Sequence, residues 1–417
     1  MKKVLFFTTT HYSNPSAVGI SVNEIIKELQ NREYEIHLIC YRGHREESTE
    51  LIDGVYVYRI NMPIYYRLNE LSKHIKNINL LKVLKYLSWL LSNLKILMYL
   101  PFFPVKSIIT IIKFLMTAIR LQRKHKFRLV ISSYNPIEGL IASNLLKKIF
   151  GDFRLILYAL DSLTNYGGGR FLSANFTDKM GWKWEKRLYK NADLILNMET
   201  HKKHYNQRRY KIYSDKIKFV DIPLLTKSRM NFTPRKKDNH VNFVYSGSLY
   251  SSIRNPEYAC ELFKAINNEN YRINFYSQGD CEQKLAVYQN ETKGMISRNG
   301  YISHEEMLVE IDRASFLINI GNKNSDMIPS KIFEYMSTGK PIIHFYHNEN
   351  DSSIPYLRQY SLALLVKQEK ELTVENISLV KKFIIKNTGK RLSFEAVEKL
   401  FKKNTPDYTV NAMTNIN

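Results

Sequence analysis

The amino-acid sequence predicts an α/β protein of two domains, each a parallel sheet wrapped by helices, and three observations predict it. The chain opens strand, helix, strand over Val4 to Thr8, Ser21 to Leu29 and Ile36 to Cys40, the order of a parallel βαβ unit. The same alternation restarts at Val241 to Tyr245, after a polar, basic stretch from Leu225 to His240 that lacks apolar periodicity and reads as a linker. A length of 417 residues also exceeds what one hydrophobic core sustains. The expected organisation is therefore 1–226 as a first Rossmann-like domain, 227–240 as linker and 241–392 as a second. Residues 393–417 remain as a C-terminal helix and tail able to pack back on the first domain.

In the first domain a further strand follows at Val55 to Ile60. No Gly-x-Gly-x-x-Gly follows the first strand, where only Gly19 lies in the turn, which disfavours a dinucleotide there. Leu80 to Leu100 and Val105 to Lys124 read as two helices separated by Pro101 and Pro104. In the second, Lys106, Thr110, Lys113, Thr117, Arg120 and Lys124 recur at four- and three-residue steps and predict one polar stripe on an otherwise apolar cylinder. Leu129 to Ser133 and Leu155 to Leu160 are two more buried strands, with a helix ending at Phe150 between them. Asp161 closes the second of these and reads as a helix-cap or turn residue. Gly167 to Gly169, followed by Arg170, form a glycine-rich loop. Trp182 to Ala192 predict a helix of scaffold character, and Asp193 to Met198 a strand.

In the second domain, Tyr245 to Leu249 close the first strand, and Gly247 permits close approach of a phosphate. A helix over Pro256 to Ile266, a strand over Arg272 to Tyr276 and a capping box from Ser303 to Glu306 follow. Ser315 to Ile320 form a buried strand. Pro329 and Ser330 are helix-start residues, and Gly339 with Pro341 stops that helix. Asp326 and Glu334 thus fall in a strand-loop-helix unit, which presents backbone N–H groups and a helix dipole at the carboxyl edge of a parallel sheet. A diphosphate fits between two such carboxylates, one reaching a sugar hydroxyl and the other a ribose. Strands at Pro341 to Phe345 and Leu362 to Val366 and a helix from about Val374 complete the domain.

An acidic residue, seven others, then Glu, a helix and a Gly-x-Pro turn resemble the retaining glycosyltransferases of family 4, the group 1 enzymes of bacterial surface polysaccharide synthesis. The resemblance is strong from about Val241 to Lys367 and loose before it. Asp326 stands where that family usually has Glu, and Pro329, Ser330 and Lys331 resemble the tripeptide of one branch. The resemblance implies the GT-B fold, two Rossmann-like domains facing across a cleft, here with an inserted amphipathic helical segment at 71–128. It implies that Asp326 grips the donor sugar, Glu334 its ribose, and that transfer retains configuration while the diphosphate takes the acceptor proton. Ser248 replaces a family Arg, and Arg254 is displaced by one residue from a family Lys. Lys331 and Arg254 are then the expected phosphate cations. Asp161 resembles the family's strand end that carries an acidic or His-Asp pair facing the cleft, with Leu160 in the His position. The string from Trp184 to Asp193 resembles the element leading into the last strand of the first domain.

Formal charge is +23, and between Leu71 and Ile137 there is no acidic residue, while basic and large apolar residues alternate. No nucleic-acid reader motif accompanies that charge, and it fits an anionic membrane surface. No run of about 18 uncharged residues occurs that could span a bilayer. Packing within the protein is the other way to cover those helices. Cys40, Cys260 and Cys281 lack metal-ligand spacing and suit a reduced, cytoplasmic setting. No Asp-x-Asp metal motif is present, and neither a metal nor a cofactor is expected beyond the nucleoside-diphosphate sugar as donor substrate. The sequence thus favours a glycosyltransferase on the inner face of the cell membrane, acting on a lipid-linked glycan. The alternatives are an NAD-dependent sugar-modifying enzyme and a non-catalytic membrane-binding protein of the same fold.

Overall fold

The computed structural model describes residues 2–9, 17–43, 46–72, 78–164, 172–227, 240–323 and 331–415. It divides into two compact units, 1–223 with 406–417 and 224–405. The chain therefore returns to the first unit at Pro406, later than the expected 393, and leaves it before the expected 226.

In the first unit the strands are β1 (Lys2–Phe7), β2 (Tyr34–Arg42), β3 (Thr49–Ile52), β4 (Val55–Asn61), β5 (Leu129–Ser133), β6 (Arg154–Ala159), β7 (Leu194–Met198) and β8 (Ile217–Val220). Its helices are α1 (Ala17–Asn31), α2 (Ile64–Ser72), α3 (Ile78–Tyr99), α4 (Ile108–His125), α5 (Ile137–Phe150), α6 (Ala174–Asn191) and α7 (Lys202–Tyr205). Sheet order is β3-β4-β2-β1-β5-β6-β7-β8, parallel except that β3 runs antiparallel to β4. Asp53 and Gly54, both at positive φ (48° and 77°), make the tight turn of that hairpin, as their backbone freedom suits. Successive residues of β1 feed opposite faces. Leu5 and Phe7 pack under the α4 and α5 side with Phe114 and Leu140, whereas Val4 and Phe6 pack with Val22 and Ile25 of α1.

The expected polar stripe of α4 is only partly outward. Thr110 is buried behind the N-cap, where its N–H donates to Ser107 Oγ (3.2 Å). The apolar remainder divides: Ile111, Phe114, Ala118 and Leu121 face the core, while Ile109, Ile112 and Met116 face solvent beside Lys113 and Arg120.

The second unit carries β9 (Val241–Leu249), β10 (Tyr271–Gly279), β11 (Ile296–Arg298), β12 (Phe316–Ile320), β13 (Ile342–Tyr346) and β14 (Ala363–Lys367). These form an all-parallel sheet in the order β11-β10-β9-β12-β13-β14. Around it lie α8 (Glu257–Ile266), α9 (Glu282–Glu291), α10 (His304–Arg313), α11 (Lys331–Ser337), α12 (Ile354–Leu357), α13 (Val374–Asn387) and α14 (Phe394–Leu400). Apolar strands such as Phe316–Ile320, buried along their length, are what a sheet covered on both faces requires. The last helix, α15 (Pro406–Thr414), packs on α1 in the first unit. All three cysteines are buried and free.

Candidate functional site

In the second unit the strand order reverses between β9 and β12. At such a reversal, helices leave neighbouring strands toward opposite faces and open a crevice at the carboxyl ends. The residues lining it come from three elements. From β9, Gly247 holds φ 149°, and a Cβ there would meet Tyr245 Oη at 3.3 Å. Ser248, in the place of the family's Arg, is half-buried, with Gln278 Nε2 at 3.5 Å from its hydroxyl. Past β9 the chain turns so that Arg254 Nε donates to Asn322 Oδ1 (2.6 Å), which lies just beyond β12. Tyr245 is buried beneath this pair. Desolvation pushes its pKa up to about 12, against the pull of the Arg254 guanidinium.

From β12, Lys323 donates through Nζ to Ser251 O (3.0 Å) and through its backbone N–H to Ile253 O (2.9 Å). Lys323 and Asn322 were not among the expected residues. Their position immediately after the buried strand was the available signal. From α11, Lys331 and Glu334 form an ion pair (2.8 Å), and the second carboxylate oxygen of Glu334 is buried without a hydrogen-bond partner among the described residues. Tyr335, one residue on, accepts from Ser246 N–H (2.8 Å) and so fixes α11 against β9. Glu334 is thereby held beside the crevice by its neighbour in sequence. Asp326, Pro329 and Ser330 lie outside the described residues, as do Gly167 to Gly169 and Arg170.

This crevice therefore offers guanidinium and ammonium groups, a glycine edge and a carboxylate within one sheet margin. Its cations are engaged locally, Lys331 by Glu334, Lys323 by Ser251 O and Arg254 by Asn322; the last of these is a pairing that spacing along the chain does not disclose.

In the first unit, Asp161 stands exposed just past β6. It does not cap the following helix, since α6 takes Ser173 as its N-cap. Its charge acts on His201, whose pKa burial lowers and Asp161 raises. Behind it lies a hub that sequence reading had passed over as scaffold. Glu185, fully buried, accepts from Tyr210 Oη (2.6 Å), Leu163 N–H (2.8 Å), Tyr134 Oη (3.2 Å) and Ser162 Oγ (3.3 Å). Gly181 lets α6 come this close, because a Cβ there would collide with the Leu163 carbonyl. His204 Nε2 joins through Thr164 Oγ1 (2.7 Å) and Tyr210 Oη (3.0 Å). The carboxyl ends of β5 and β6 are thus clamped by one buried carboxylate.

Residues 3–88 match the family model described as Glycosyl transferase 4-like. Among solved structures, the chain is similar to a glycosyltransferase from Rickettsia africae, with TM-score 0.57 and 13% identity over 99% of this chain and 96% of that one. It is also similar to the lipopolysaccharide outer core galactosyltransferase WaaB, with TM-score 0.54 and 14% identity over 99% of both chains. The chain has the GT-B glycosyltransferase fold. A sucrose-phosphate synthase from Thermosynechococcus elongatus shares it at TM-score 0.53 and 12% identity, over 100% of this chain and 95% of that one. No curated protein matches by sequence. In GT-B terms, the crevice at β9 and β12 lies in the C-terminal Rossmann-like unit, and the Glu185 hub in the N-terminal one.

Proposed function

We propose that the chain transfers a sugar from a nucleoside-diphosphate donor to a hydroxyl of a glycan carried on a membrane lipid, with retention of configuration and without a metal ion. The observation that carries this reading is the gathering of Gly247, Arg254, Lys323, Lys331 and Glu334 at the strand-order reversal of the second unit. Leaving-group departure places negative charge on a diphosphate, and preorganised cations and N–H dipoles stabilise it in the transition state. Glu334 hydrogen-bonds the donor's ribose through the oxygen that no described residue engages, and Asp326 engages the sugar. Asp161 belongs to the acceptor side.

Donor binding tests the reading directly. Thermal-shift or calorimetric titration with UDP, GDP, dTDP and NAD is expected to show stabilisation by one nucleoside diphosphate. Stabilisation by NAD alone would favour the sugar-modifying alternative. Glu334→Ala is expected to lower kcat/KM about 100-fold, as loss of a charged hydrogen bond of roughly 3 kcal/mol dictates. Lys331→Ala, which frees Glu334 as well as removing a cation, should lower it too. Transfer intact in both variants would place the donor elsewhere.

The lipid part of the proposal draws on α3 and α4. Leu80, Val83, Tyr86 and Trp89 are exposed on α3 beside Lys82 and Lys85, and Ile109, Ile112 and Met116 on α4 beside Lys113. No helix among the described residues is long and apolar enough to cross a membrane. Apolar side chains flanked by ammonium groups suit the interface of an anionic bilayer. Flotation with vesicles is expected to need anionic lipid and to weaken with salt. Equal flotation with neutral vesicles would remove the electrostatic contribution.

A further inference from the structure

At the amino edge of the first unit's sheet, β2 carries Glu35 and His37 two positions apart, hence on one face. Helix α4 covers that face and ends on His125, after which Lys126 turns the chain at φ 53°. The rings of His37 and His125 come to 4.2 Å between centroids, and His37 Nε2 lies 2.7 Å from Glu35 Oε1. One donor atom from each of the three residues lies within 4.8 Å of the other two. His37 is 1% exposed, and Nε2 of His125 is buried with no hydrogen-bond partner among the described residues.

We infer that Glu35, His37 and His125 form a binding site for a divalent transition-metal ion of the zinc class. Two imidazole nitrogens and one carboxylate oxygen are a borderline donor set, which suits zinc, cobalt or nickel better than calcium or magnesium. With the ion on Nε2, His37 Nδ1 donates to Tyr58 Oη, which lies 3.1 Å away, as a partner behind a ligating histidine should accept. Binding shifts the one imidazole proton of His37 from Nε2, where it faces Glu35 Oε1, to Nδ1, so the ring stays neutral and no proton is released. Lys3, now 3.2 Å from Glu35 Oε1, withdraws from that oxygen. Glu35 and His125 are half-buried, so the ion has a way in, and water completes its coordination.

Such an ion would join β2 to the end of α4. Its place at the amino ends of the strands sets it apart from Asp161 and the Glu185 hub at the carboxyl ends, so its role is structural. The inference stands apart from the proposed transfer reaction.

The test uses the untagged full-length chain freed of metal with a chelator. Cobalt titration is expected to give the visible absorption of a four-coordinate ion at one equivalent, and zinc to raise the unfolding midpoint. His125→Ala and Glu35→Gln, both at half-buried positions, should abolish the absorption and the zinc-dependent rise while circular dichroism stays that of wild type. Tyr58→Phe should weaken cobalt binding roughly 10- to 100-fold, as loss of such a partner does, an effect that a purely structural tyrosine would not have on the titration. Wild-type protein that shows neither absorption nor a shifted midpoint would overturn the site. So would signals that persist in both ligand variants, since the ion would then lie elsewhere.

Discussion

Glu185 shows how a single residue organises the first unit. Burial raises its pKa above the ordinary glutamate range, against the pull of Tyr210, Leu163 N–H, Tyr134 and Ser162. A folded pKa above the unfolded one means that this carboxyl contributes stability that is whole below the unfolded value and lost as pH rises through the folded value. Wild type should therefore lose thermal stability relative to Glu185→Gln as pH climbs above the unfolded glutamate's value of about 4.3. Unfolding curves that run parallel above that value would contradict the assignment. Glu185→Leu strands the Leu163 N–H and several hydroxyls in the interior, and should cost about 3 kcal/mol or more by chemical denaturation. The sequence supplied the helix bearing Glu185 but not its role, because its partners lie 21 to 51 residues away. Glu334 and Gly247 were legible because local spacing places them. Arg254 was legible as a cation, but its bond to Asn322, 68 residues on, was not.

At the scale of elements, local chemistry had marked many boundaries. The Ser303 capping box is formed in both directions (Glu306 N–H to Ser303 Oγ, 3.3 Å; Ser303 N–H to Glu306 Oε2, 2.9 Å). Gly339 ends α11 at φ 73°, and a Cβ there would collide with the Leu392 carbonyl. The β3–β4 hairpin went unread although Asp53-Gly54 is its signal, because its short outer strand has no buried face. The far end of α10 is held by a residue outside the helix. Lys340, buried, donates through Nζ to the carbonyls of Ile311 (3.0 Å), Ala314 (2.7 Å) and Asp312. Lys340→Met should unfold this unit about 2–4 kcal/mol more easily by leaving those carbonyls unpaired. Burial also pulls the Lys340 pKa down to about 8. Between there and the ordinary value of about 10.4 the unfolded chain binds the extra proton, so the share of stability owed to this group rises with pH. Denaturation at pH 7.5 and 9.5 should show that rise in wild type and its absence in Lys340→Met.

For the molecule as a whole, the strand-helix restart at Val241 showed two units. It could not show where the chain crosses back, because the return depends on tertiary contacts of one short helix. In α15, Val410 and Met413 are buried in the same cluster as Val22 and Ile25. Arg32, just past α1, donates to Asn411 Oδ1 (2.8 Å) and pairs with Asp407, and Arg154 donates to Met413 O (3.1 Å). Two apolar side chains of this size are worth about 1.5–3 kcal/mol each when withdrawn from water. A chain ending at Thr405 should therefore lose about 3 kcal/mol or more, all of it from the first unit. Hydrogen exchange followed by mass spectrometry resolves the two units in one experiment. Peptides from α1 and β1 are expected to exchange about 100-fold faster in the shortened chain, the ratio that such a loss implies at about 1.4 kcal/mol per tenfold, while peptides from β9 and β12 keep their protection. Equal acceleration in both sets would mean that α15 stabilises the units jointly. No acceleration in either would mean that its contacts with α1 contribute nothing to the fold.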